Sequence, residues 1–178
     1  VDGLFSFFEN LNINTYLANT HTAGLRGDTA SHRAQLEYGG DRYGVVLEDM
    51  RVGKHFNPES GYVRRADIRR NNGQLRFSPR PASSAVVRQY EYSASVDQFT
   101  RLSDGLLETR VAEGTFGIEL QNSDQFRLQL ADNLEELTEP YEVVEGVEIP
   151  LGRYRFQTVN AQYEFGTQRR ISGELSYE

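Results

Sequence analysis

Apolar and polar residues alternate with a period of two along most of this 178-residue chain, and helical spacing is nearly absent. In Ser31–Tyr38, Ala34, Leu36 and Tyr38 fall on one side of an extended strand, with Arg33, Gln35 and Glu37 on the other. Tyr43, Val45 and Leu47 repeat the pattern against Gly44, Val46 and Glu48, as do Leu75 and Phe77 against Gln74, Arg76 and Ser78. The sets Tyr90–Val96, Phe116–Leu120, Phe126–Leu130 and Val159–Phe165 alternate in the same way. A last segment sets Ile171, Leu175 and Tyr177 against Ser172, Glu174 and Ser176. The pattern predicts an all-β chain of about nine strands, or ten if the first is broken near Asn10.

The connections carry a second pattern. Gly39-Gly40-Asp41, Asn122-Ser123-Asp124 and Gly166-Thr167-Gln168 are tight hairpin links, and Pro79–Ser83 is a fourth short one. Between them lie longer connections over 19–30, 53–72, 100–105 and 138–152. Short and long alternate, so an up-and-down meander gathers the short turns at one end and the long loops at the other. That asymmetry, strands reaching beyond the globular average of ~5–6 residues, and aromatics near strand ends (Tyr38, Tyr43, Tyr90, Phe165, Tyr177) suit a transmembrane β-barrel or a segment of one. A soluble β-sandwich or barrel shows the same alternation with the apolar side turned inward. Alternation alone does not separate the two, and the second stays open as a periplasmic or secreted domain binding a small ligand or glycan.

Composition narrows the classes. Mean hydropathy is −0.61, and no apolar run approaches the ~18 residues of a membrane helix. Ten Tyr and ten Phe make the chain too aromatic for disorder. Without Cys, disulfide frameworks, thiolate metal sites and Cys nucleophiles are excluded. The net charge of −7 argues against a nucleic-acid partner. Lys54 is the single lysine among 19 basic residues, and the arginines suit a wall of planar Arg–carboxylate pairs. Val1 is not an initiator Met and no signal segment follows it, so residues 1–178 are expected to be one β-barrel region within a longer product.

Candidate chemistry is sparse. His21, His32 and His55 show no metal-ligand spacing. Ser31 and His32 are strand neighbours, which point to opposite faces and cannot form a nucleophile–base pair. Asp132, Glu135, Glu136, Glu139, Glu142, Glu145 and Glu148 form an acidic run without EF-hand spacing, read as solvated loop charge rather than a calcium site. No phosphate loop or dinucleotide fingerprint occurs. The expectation is a non-enzyme with no catalytic residue, no metal and no cofactor. In the Phe56-Asn57-Pro58-Glu59 stretch, Pro58 fixes its own φ, Asn57 is biased to extended geometry and Gly61 permits a turn. Glu59 is expected to brace the long loop against Arg64, Arg65, Arg69 and Arg70; the loop is otherwise read as a lumen constriction or ligand rest.

The stretch Val52–Arg65 resembles a GxxFNPExGFVRR signature of an uncharacterised bacterial family of outer-membrane proteins, with Tyr62 where Phe is expected. Phe56, Asn57, Pro58, Glu59, Gly61, Arg64 and Arg65 are its signature residues here. Phe77-Ser78-Pro79-Arg80-Pro81, Leu137-Thr138-Glu139-Pro140-Tyr141 and Ile149-Pro150-Leu151-Gly152 extend the resemblance along the chain. In that family a domain similar to family-9 carbohydrate-binding modules precedes a large β-barrel. The resemblance implies outer-membrane lipid as the surrounding partner, a place in a Gram-negative outer membrane, and a cell-surface role in solute handling. Glycan binding would come through a domain not among these residues.

Overall fold

The computed structural model describes residues 1–59, 61–144, 146–168 and 172–178. Ile171, read as opening the last strand, and Glu145 of the acidic run lie outside them. The described residues contain no helix. Ten strands form one antiparallel meander: β1 (Asp2–Phe7), β2 (Leu11–Asn19), β3 (Ala30–Gly39), β4 (Tyr43–Val52), β5 (Ile68–Phe77), β6 (Val87–Arg101), β7 (Leu107–Leu120), β8 (Gln125–Leu137), β11 (Gly152–Phe165) and β12 (Gly173–Tyr177). The break near Asn10 is a turn, with Phe8 at φ 54°. The connection 138–152 is not bare loop, because β9 (Tyr141–Val144) and β10 (Val147–Ile149) pair there as a separate hairpin. The ten-stranded sheet is open: β1 and β12 are its edges, and no ladder joins them among the described residues.

The three longest connections, 20–29, 53–67 and 138–151, leave from one end of the sheet together with the short 102–106. The links 8–10, 40–42, 78–86 and 121–124 leave from the other, so 78–86, expected as a short link at Pro79–Ser83, is longer than 102–106. β6, β7, β8 and β11 are 13 to 15 residues long, more than twice the globular average of ~5–6. Two short turns are clasped together by Asp124, which is fully buried and accepts hydrogen bonds from Tyr163 Oη (2.8 Å) and the Gly166 amide (2.9 Å).

The two faces differ in kind. One, here called outward, carries Leu47, Leu75 and Leu130, each more than half exposed. The other, inward, carries Ser31, Glu48, Val52 and Ile68, all buried. The outward apolar band runs obliquely to the ladder. The row Ile13–Leu36–Leu47–Gly73–Val96–Ala112 is apolar until it reaches Asp132 on β8 and Gln157 on β11. On those later strands the apolar positions, Leu128 with Ala161 and Phe126 with Tyr163, sit nearer the short turns. A level band crosses hydrogen-bonded rows at a slant only when the strands tilt relative to it, as strands of a barrel wall do.

Both margins of the band are marked. Toward the short turns, rings stack from strand to strand: Tyr43 on Phe77 (5.2 Å), Phe77 on Tyr92 (6.2 Å), and Tyr92 beside Phe116 (5.2 Å). Arg42 lies over the Tyr43 and Phe77 rings at 5.7 and 5.2 Å. Toward the long loops the same face becomes charged, with Arg69–Asp49 (2.7 Å), Arg155–Asp132 (2.9 Å) and Arg153–Glu136 (2.6 Å).

Candidate functional site

The site lies at the long-loop end of the inward face, under the connection 53–67. Its foundation is an ionic ladder across four adjacent strands. Arg33 on β3 donates from Nε to Glu48 on β4 (2.6 Å), and Arg70 on β5 donates to the other Glu48 oxygen (3.0 Å). Arg70 also grips Asp97 on β6 through Nε and Nη2, both at 2.9 Å. Strand alternation places all four on one side. Arg33 and Arg70 flank Met50 in one row and Glu48 and Asp97 flank Asn72 in the next, so the pairs run diagonally and one carboxylate bridges two guanidinium groups. Glu48 is 8% exposed, so its charge is tolerable only because both flanking arginines stay in place.

Above this ladder the loop is held at both ends. Where it leaves β4, the Gly53 amide donates to Ala30 O (2.9 Å) and the His55 amide to Asp28 O (2.8 Å). A Cβ at Gly53 would stand 2.5 Å from Asp28 O, so no larger residue fits without moving that backbone. The Asn57 amide donates to Thr20 Oγ1 (3.0 Å), tying the loop to the 20–29 connection. Asn57 Oδ1 in turn accepts from the Glu59 amide (3.2 Å), a local Asx-type turn, and Gly61 closes on Pro58 O (3.4 Å). Glu59 at φ 56° and Asp67 at φ 60° bracket the segment in the left-handed region, which is uncommon for residues with a side chain.

The far anchor is a β-bulge. Phe99 pairs with Thr109 but Thr100 pairs with Leu107, which leaves Glu108 as the extra residue on β7. Glu108 is buried and accepts from Arg101 Nε (2.7 Å) and from Arg65 of the loop. Arg65 and Arg70 stand over the Phe99 ring at 5.7 and 5.5 Å. The expected bracing of Glu59 by Arg64, Arg65, Arg69 and Arg70 is therefore corrected. Glu59 forms no ion pair among the described residues, and three of those arginines go instead to Glu108, Asp49 and Glu48 with Asp97. Strand carboxylates presented at fixed register cost less ordering than a flexible loop glutamate, so they win the arginines.

Between loop and sheet lies a cavity of about 710 Å³. Its floor is Met50, Val52, Ile68 and Phe99, and its cover includes Phe56, Tyr62, Arg64 and Arg65. Of the signature residues, Phe56, Arg64 and Arg65 reach the cavity, while Asn57, Pro58, Glu59 and Gly61 shape the turn that carries them. The floor residues escaped the sequence reading. The available signal was a lapse in alternation, since Val52, Ile68 and Phe99 occupy positions on the face that carries Arg33, Glu48, Arg70 and Asp97. Ser31 and His32 face opposite sides: Ser31 Oγ meets Tyr16 Oη inward (3.0 Å), and His32 Nε2 meets Asp49 outward (3.4 Å). Among the described residues no group of three or more His, Asp or Glu is arranged to hold a metal.

Comparison with family models, curated proteins and solved structures finds no match to this chain.

Proposed function

We propose that this chain is a wall of an outer-membrane β-barrel, with lipid against its outward face and water against its inward one, and that it handles solutes without catalysis. The observation that carries the reading is the inversion of burial: large apolar side chains stand exposed on one face while ion-paired carboxylates are buried on the other. In water, a contiguous exposed apolar surface of this kind is unfavourable and rare. In hydrocarbon it is the ground state, and the aromatic row and the charged belt then lie where the two interfaces fall. The slant of the band and the gathering of the three longest connections at one end point the same way. The resemblance of Val52–Arg65 to an outer-membrane signature agrees. It supports a setting at a bacterial surface, with any glycan binding in a separate domain.

One dimension favours a second reading, in which protein rather than lipid covers the outward face. The apolar run is five alternating positions on β7 (Ala112–Leu120), about 27 Å along the strand. On β3 it is three (Ala34–Leu36–Tyr38), about 13 Å, against the ~25 Å height of a membrane barrel's apolar band.

Leu36→Arg and Leu128→Arg separate these readings. In a bilayer each costs ~2–4 kcal/mol near the midplane, so the heat-modifiable electrophoretic species formed in phosphatidylcholine vesicles should be lost from both variants and kept by the parent. Normal assembly of both would sink the membrane reading. A parent chain that forms a discrete, cooperatively melting oligomer without detergent, with Leu47 and Leu75 protected in it, would establish the second.

A further inference from the structure

We propose that the cavity beneath the 53–67 connection is a binding site for a monoanionic small molecule with a flat apolar body, an aromatic carboxylate in its simplest form. The proposal goes beyond the membrane reading, because the cavity lies on the polar face whichever medium meets the other one.

Volume and lining come first. About 710 Å³ falls in the range of small-molecule sites, ~300–1,000 Å³. The floor departs from the face around it: Val52 and Ile68, 7% and 3% exposed, are the buried hydrophobic side chains of the described residues, and Met50 and Phe99 continue their surface. An apolar floor inside an ion-paired wall offers a non-polar body a place that the rest of the inward face does not.

Charge then sets the sign of the ligand. Around the cavity Arg33, Glu48, Arg70 and Asp97 neutralise one another, and so do Arg65 and Arg101 with Glu108 and Asp104. Arg64 is left over. It lines the cavity, is exposed, and forms no ion pair or hydrogen bond among the described residues. One uncompensated guanidinium over a greasy floor selects one negative charge on an apolar body, and its planar fork matches a carboxylate. Phe99 already carries cations above its ring, so the ligand's ring is expected against Tyr62 and Phe56, with its carboxylate at Arg64. The left-handed residues Glu59 and Asp67 bracket this part of the loop, where backbone strain is often kept for a site.

The test uses three probes of one shape on the refolded full chain, with micelles alone as blank: 2-naphthoate, 2-naphthamide and 2-naphthylmethylammonium. Saturable binding of naphthoate is expected, at least about tenfold tighter than the amide, with the cation weakest. Arg64→Gln should bring naphthoate down to the level of the amide and leave the amide unchanged. Arg88→Gln, at the opposite end of the sheet, should change neither. An independent readout uses the absence of cysteine in the chain: Tyr62→Cys should be alkylated more slowly in the presence of naphthoate. Equal binding of all three probes, a naphthoate preference that survives Arg64→Gln, or no binding and no protection in protein that migrates as folded would each overturn the proposal.

Discussion

Leu47 and Glu48 are neighbours on β4, yet Leu47 is 51% exposed and Glu48 8%. The same reversal sets exposed Leu75 and Leu130 on the outward face against buried Ser31 on the inward one. Outward, apolar side chains have no protein partner layer, and their stabilisation must come from the medium. Inward, charged side chains hold one another across strands, Arg33 to Glu48 to Arg70 to Asp97, and a loop closes over them. The lesson is that burial here follows ion pairing and loop cover rather than hydropathy. The ordinary equation of core with apolar residues fails on this sheet except at Val52 and Ile68, the small floor under the loop.

The sharpest way to break this contrast is to exchange the neighbours. Leu47→Glu with Glu48→Leu should abolish assembly in vesicles, because it puts a carboxylate in the apolar band and strips Arg33 and Arg70 of their shared partner. Vesicle flotation reads the result, and normal assembly would show the faces to be equivalent. Next in size, Glu48→Ala alone should lower stability by about 2–4 kcal/mol, the cost of removing one partner from a buried ionic group, with the arginines' partial exposure reducing it. The urea midpoint measures this, and a shift below a few tenths of a kcal/mol would mean the ladder contributes nothing.

Gly53→Ala separates loop from sheet. Its Cβ would meet the Asp28 carbonyl at 2.5 Å, so the loop's first anchor must shift, at about 1–3 kcal/mol. Limited proteolysis within 59–65 should accelerate while the strands stay resistant. Unchanged cleavage would show that the anchors at Asn57 and Arg65 hold the loop without it. The smallest effect belongs to the short-turn end, where the Arg80 guanidinium hydrogen-bonds to Asp41 and holds its carboxyl below the ordinary range. A carboxyl depressed in the folded state adds stability above its unfolded value of ~3.9 and loses it as pH falls through the lower folded value. The difference in urea midpoint between the parent and Asp41→Asn should therefore be small near pH 6 and vanish on acidification below pH ~4. A difference that grows on acidification would have the wrong sign.

Much of this was readable before any coordinates. Period-two alternation assigned Leu36, Leu47, Leu128 and Leu130 to one face and Arg33, Glu48 and Arg127 to the other. The break near Asn10 and most of the sorting of short and long connections followed from turn residues, although 78–86 is longer than 102–106 at the opposite end. All of that depends on near neighbours in the chain, where strand geometry sends successive side chains to opposite sides. The loop was harder. Its turn at Asn57-Pro58-Glu59 was legible because Pro and Asx geometry is local, but the destinations of its arginines were not. The hairpin β9–β10 was missed as well, since Tyr141–Val144 and Val147–Ile149 are too short to alternate visibly.

Local periodicity, then, was enough to define the long strands of the meander and their faces, because each is a property of a few consecutive residues. Register and folding distance settled the rest. Glu108 became the loop's anchor only through a bulge opposite Phe99 and Thr100, and Arg70 reached Asp97 instead of Glu59 only because β5 and β6 align in that phase. The cavity over Val52, Ile68 and Phe99 likewise draws on residues from 16 to 99 of the chain. Such pairings are chosen by summing long-range contacts across the whole ladder, and no window of consecutive residues contains that sum.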